Sequence, residues 1–109
     1  MGQHNLRIDV KYTAELDLLE ALEFLREESP TTAIRFVEAF EKTLGDLSKM
    51  PEIGSMYEFS NLRLHGIRRW RINGFEKYLI FYRVEYDAIV ILRVIYGTRN
   101  IPTVFDEEA

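Results

Sequence analysis

The sequence contains no cysteine. That removes disulfides, thiolate metal sites and thiol nucleophiles together, and fits a reducing compartment. Histidine is nearly as scarce: His4 and His65 stand far apart with no ligand-spaced partner, so neither a metal site nor a cofactor is expected. His65, in the stretch RLHG, reads as an exposed loop residue. There is no glycine-rich phosphate loop and no Gly-x-Ser-x-Gly nucleophile elbow. Apolar runs stop at about five residues, far short of the roughly 20 needed to cross a bilayer. The start, MGQHNLRI, has no apolar signal core, and Leu6 breaks the myristoylation pattern that Gly2 would open. The expectation is a cytoplasmic protein with no membrane partner.

What is present is aromatic and unevenly charged. The 109 residues are 47% hydrophobic, with seven Phe, six Tyr and one Trp, enough for one folded domain spanning 1–109 with a single two-layer core. Residues 1–61 carry six Lys/Arg against twelve Asp/Glu, a balance of -6. Residues 62–100 carry eight against three, a balance of +5, and the last nine residues add three acids. Such asymmetry points to an acidic or polyanionic partner for the second half. The same pattern also arises when helices carry Glu and strands carry charge for solubility.

Hydrophobic periodicity orders the chain. LRIDVKY, 6–12, alternates as a half-buried strand. Thr13 is placed to cap a helix over about 14–28, with Leu18, Leu22 and Leu25 on its stripe and Leu16 and Phe24 off it. Ser29-Pro30 is a start signal for a second helix, whose stripe is Ala33, Phe36, Val37, Phe40, Leu44 and Leu47. Met50-Pro51 ends it. After an irregular stretch, 51–66, come strands at about 67–72, 77–84 and 89–96. The first two are joined by the hairpin signal Asn73-Gly74, the last two by a turn at Glu85-Tyr86-Asp87. The predicted fold is α+β, in the order β-α-α-β-β-β, an antiparallel sheet with a helical hairpin on one face.

Arginines sit inside the two most apolar strands, Arg83 in YLIFYRV and Arg93 in ILRVIYGTRN. An unpaired buried guanidinium is costly. Strict alternation puts Val90, Leu92, Val94 and Tyr96 on one face and Ile89, Ile91, Arg93 and Ile95 on the other, with Arg83 beside Leu79 and Phe81. Either both arginines line the face the helices leave open, or they pair with carboxylates or carbonyls. Trp70, flanked by arginines, is either core or a stacking platform. Tyr96 is expected to pack its ring and offer only its hydroxyl. The acids of the first helix read as a solvated face.

Taken in order and spacing, the Ser-Pro split helix pair, KMPEIG, IRRWRI, YLIFYRV and RVIYGTRN resemble the ParE branch of the RelE/ParE toxins over about 6–101. The resemblance implies the toxin of a type II toxin–antitoxin module, hetero-oligomeric with a cognate ParD-like antitoxin and aimed at DNA gyrase. The RelE-like alternative is a nuclease that cleaves messenger RNA on the ribosome, and a third is a relic that keeps only antitoxin binding. By that resemblance Arg99 in GTRN is the end-of-strand arginine, and Arg69, Arg71 and Tyr96 are the further candidates for a nuclease site. Leu79 stands where RelE-like members carry a catalytic arginine, and PTVFDEEA after Ile101 supplies no Tyr, His, Lys or Arg. Phe24, Trp70, Arg83, Arg93 and Arg99 are the candidates for target or antitoxin binding.

Overall fold

The computed structural model describes residues 5–57, 61–97 and 105. Strand β1 (Arg7–Val10) leads into helix α1 (Tyr12–Glu28) and, after Ser29, helix α2 (Pro30–Lys49). A two-residue strand β2 (Ser55–Met56) and a 3-10 turn (Leu62–Leu64) occupy the irregular stretch. Strands β3 (Ile67–Ile72), β4 (Phe75–Glu85) and β5 (Ala88–Tyr96) follow. The sheet order is β1-β5-β4-β3-β2, and the successive pairs β2–β3, β3–β4 and β4–β5 are antiparallel.

The local signals act through identifiable atoms. The Ser29 side chain accepts from the Thr32 amide at 3.3 Å, which satisfies one of the orphan donors at the start of α2. Gly74 has φ +87° at the hairpin, a conformation that glycine adopts without strain. The turn is also docked: the Asn73 amide donates to Thr43 Oγ1, which itself donates to Ala39 O. On α2 the residues Phe36, Phe40, Leu44 and Leu47 are buried, each contributing roughly 1.5–3 kcal/mol of transfer free energy. Val37, expected on that stripe, is 37% exposed.

Both helices cover one face. Ala14, Ala21 and Leu25 of α1 and the α2 stripe pack on Ile72, Ile80, Tyr82, Ile89, Ile91 and Val94. The opposite face carries a smaller cluster, Ile67, Phe81, Ile95 and Phe105, with Tyr57, Leu64, Leu79 and Leu92 against it.

Three expectations are corrected. The sheet is mixed, not antiparallel throughout, because β1 pairs with β5 in parallel, Ile8 beside Ile89 and Val10 beside Ile91. Alternation reports which residues are buried but is blind to direction, and no hairpin joins these two strands to impose one. Second, the register of β4 on β5 slips between Phe81 and Tyr82, so that Phe81 faces Arg93 while Tyr82 faces Ile91. Leu92 is the extra residue of a β-bulge. Beyond it the parity reverses: Ile89, Ile91 and Val94 belong to the helix-side core, Leu92 and Ile95 to the other face. Third, α1 starts on Tyr12 with Lys11 as N-cap and no side-chain cap bond. Thr13 donates instead to Leu92 O at 3.3 Å. The buried line of α1 is accordingly Ala14, Asp17, Ala21 and Leu25, with Leu18 and Leu22 half-buried beside it.

The PEIG segment is held by Tyr82. Its hydroxyl donates to Pro51 O at 2.8 Å and accepts from the Gly54 amide at 2.9 Å. A Cβ on Gly54 would lie 2.5 Å from that oxygen and 2.7 Å from Arg69 O, so glycine is required by proximity. Desolvation by burial pushes the Tyr82 phenol above its ordinary value of 10.0, more than the Gly54 bond and Arg68 pull it down.

Tyr82→Phe should therefore cost about 1–3 kcal/mol, since it strands a buried donor and acceptor, read as a lower urea midpoint at constant slope. The raised phenol favours the neutral form in the folded state. Its contribution is complete below pH 10 and is lost as pH rises through the higher folded value. Tyr82→Phe should flatten that alkaline decline, and a decline of unchanged steepness would assign it elsewhere.

Candidate functional site

The helix-side core and the opposite face place the sequence candidates very differently. Arg93 does not line the face away from the helices. Its Nε and Nη2 donate to the two carboxylate oxygens of Asp17 on α1, at 2.7 and 2.9 Å. The side chains are 12% and 8% exposed. The same carboxylate accepts from the Val94 amide at 2.9 Å. One turn earlier on α1, Thr13 serves the Leu92 carbonyl. Residues four apart on one helix face thus satisfy backbone groups of β5 beyond Ile91, where its pairing with β1 ends. Arg93 is a member of that brace.

Arg83 has a lighter commitment: its Nη2 donates to Arg63 O at 3.0 Å, in exposed surroundings. It borders a cleft of about 210 Å³ with Thr13, Arg63, Leu64, Ile67, Leu92 and Phe105. Register puts Arg69 opposite Phe81 and Arg71 opposite Leu79. The Arg69 guanidinium lies 5.2 Å from the Tyr57 ring centre and that of Arg71 4.7 Å from the Trp70 ring centre, both within cation–π range. Arg69, Arg71 and Arg83 make no ion pair among the described residues. Trp70 itself is half-buried and packs on the helix-side core. This face is therefore cationic at its margins and apolar at its centre. Arg99 lies outside the described residues.

Phe24 is 56% exposed, as its departure from the helical stripe implies. It overhangs a second cleft, of about 470 Å³, between α1 and the ends of β4 and β5, with Asp17, Glu20, Ala21, Tyr78, Val94 and Tyr96. Tyr96 is 37% exposed, and its ring stands 5.2 Å from that of Tyr78, edge to face. Tyr78 also meets Phe36 at 5.0 Å, which fixes its position. Sequence reasoning missed Tyr78, Glu20 and Asp17. In YLIFYRV, Tyr78 shares its alternation with the core residues Ile80 and Tyr82, and nothing in that pattern marks it as a groove wall.

Among the described residues no group of three or more His, Asp or Glu is placed to hold a metal ion, and no helix is long and apolar enough to cross a membrane.

Two helices on a five-stranded mixed sheet form the α+β fold of ParE/RelE-like toxins. The family described as "ParE toxin of type II toxin-antitoxin system, parDE" matches residues 8–101. The chain belongs to this family, and is a toxin of the ParE/RelE superfamily of type II toxin–antitoxin systems. Among solved structures it resembles one of the chromosomal ParDE toxin–antitoxin system from P. aeruginosa, with a TM-score of 0.67 and 18% identity, over 85% of this chain and 97% of that one. It also resembles the RelBE2 toxin–antitoxin complex from Mycobacterium tuberculosis, with a TM-score of 0.56 and 23% identity, over 87% and 94%. No curated protein matches it significantly in sequence.

The different commitments of the two arginines give a direct test. Arg93→Met strands a buried carboxylate and should cost about 3–5 kcal/mol. Arg83→Met gives up one exposed bond and should cost less than about 1.5 kcal/mol. Equal losses by urea denaturation would mean that the brace carries no special weight.

Proposed function

We propose that this toxin acts by holding a protein target, DNA gyrase, and is neutralised by a ParD-like antitoxin that covers it. The observation that carries the reading is the centre of the cationic face. There β4 sets Leu79 and Phe81 between the arginines of β3 and Ile95 of β5, with Phe81 and Ile95 buried against Tyr57 and Phe105. Cleavage through a 2′-hydroxyl needs a base, an acid and cations around one phosphate. Arg69 and Arg71 offer cations, but the strand between them and β5 offers hydrocarbon where the RelE-like pattern has arginine. A centre filled with buried hydrocarbon has no room for a base and an acid, whereas the exposed guanidinium groups of Arg69 and Arg71 at its margin suit polar contacts with a protein surface.

The antitoxin is expected to be an extended, acidic-to-amphipathic segment that folds on binding. Phe24 on the helix side and Arg83 on the sheet side are its candidate anchors. Phe24→Ala and Arg83→Ala, measured by calorimetry against the product of the adjacent gene, should each cost more than about 1 kcal/mol of affinity. Losses below about 0.5 kcal/mol at both would put the interface elsewhere.

For the target, the purified toxin should inhibit gyrase supercoiling and leave messenger RNA intact on translating ribosomes, as read by primer extension. Arg99→Ala should weaken the inhibition through affinity. Codon-specific cleavage that disappears with Arg99→Ala would establish the RelE-type reading instead. One charge-stabilising donor is worth roughly 3–4 kcal/mol at a reacting centre, so that loss would amount to orders of magnitude. A chain that binds its antitoxin and does neither is a relic.

A further inference from the structure

The groove under Phe24 is charged in the sense opposite to the sheet face. Its walls are three aromatic rings, Phe24, Tyr78 and Tyr96, and its inner end is the Asp17 carboxylate. Asp17 is already spent on Arg93. Glu20 on the wall is not: it is exposed and makes no ion pair among the described residues, nor does Glu28, which borders the outer continuation of the groove. Glu76 and Lys77 at that outer end offset one another. The remaining field is negative. Tyr78 registers it: burial raises its phenol above 10.0 most, and Tyr96, Glu28 and Glu20 raise it further.

We propose that this groove receives an arginine side chain of a partner polypeptide, its guanidinium stacked among Phe24, Tyr78 and Tyr96 and neutralised by Glu20 and Glu28. Three arguments select this occupant. Aromatic faces attract cations, most strongly where water is partly excluded. A planar guanidinium is more weakly hydrated than an ammonium and can stack and bond carboxylates at once, so arginine fits better than lysine. Tyr78, wedged between the Phe36 and Tyr96 rings at 5.0 and 5.2 Å, is already ordered, so little entropy is lost on binding. The inference deepens the antitoxin reading, on which it rests for the partner. A covering segment would have to be basic where it crosses α1 and acidic where it crosses the arginines of β3.

The test uses the intact toxin and a probe independent of any antitoxin. N-acetyl-arginine N-methylamide and its neutral isostere N-acetyl-citrulline N-methylamide are titrated while the ring resonances of Phe24, Tyr78 and Tyr96 are followed. Arginine should bind at least fivefold tighter than citrulline, and Glu20→Gln with Glu28→Gln should reduce that preference below twofold. Equal binding of both probes, a preference that survives the double variant, or rings that do not shift would each overturn the proposal. None of these would touch the calorimetric test of the antitoxin. A toxin that sediments as a dimer and becomes monomeric on Phe24→Glu would give the groove to a second copy, and would also overturn it.

Discussion

The carboxylate of Asp17 is the point on which the sheet depends. It takes three donors, two from Arg93 and one from the Val94 backbone, and with Thr13 it satisfies the edge of β5 that β1 leaves uncovered beyond Ile91. Without the bulge, β5 would keep one parity throughout. Ile89, Ile91 and Val94 could not then all reach the helix-side core, nor Leu92 and Ile95 the opposite cluster. The bulge strengthens local twist and re-aims side chains, while the end of β1 at Val10 leaves the Leu92 carbonyl and the Val94 amide without a strand on that side. Polar side chains from the helix overhead meet that need. The ion pair contributes less to net stability than its geometry suggests, because both charges are desolvated. Its effect is to fix how α1 lies on β5.

That placement produces two surfaces of opposite sign on one small molecule. The glutamates of α1 are exposed, while the arginines of β3 and β4 border the reverse face. A partner that touches both must match both, and the wrong polarity at either is penalised by uncompensated charge.

Much of this was legible in the sequence where chemistry is local. Ser29-Pro30 and Asn73-Gly74 name their own structures, because a cap and a turn are decided within a few residues. Phe24, out of step with its stripe, announced exposure. The α+β order and the hairpin on one face follow from the two apolar periods. What could not be read was long-range. The parallel β1–β5 pairing and the destination of Arg93 depend on partners 76 or more residues away, and the extra residue at Leu92 on a register slip against β4 that alternation does not report. Asp17 looked like one more acid on a solvated face, since nothing nearby in sequence marks it as buried. Tyr78 was hidden by the regularity of its own strand. Arg99, singled out by resemblance, falls outside the described residues.

The pairing of β1 with β5 also sets a schedule for the growing chain. Residues 7–10 are synthesised early, yet their strand partners are 88–91, and the brace of α1 waits for Leu92, Arg93 and Val94. Until those residues clear the ribosome, the helical hairpin has no sheet beneath it and β1 has no neighbour. Non-local pairings of this kind form late, because the loop must close before any contact rewards it. Until then neither the groove nor the arginine-bordered face is complete. The two surfaces are thus the last parts of the fold to be assembled, although most of the residues of the groove's helical wall are made first.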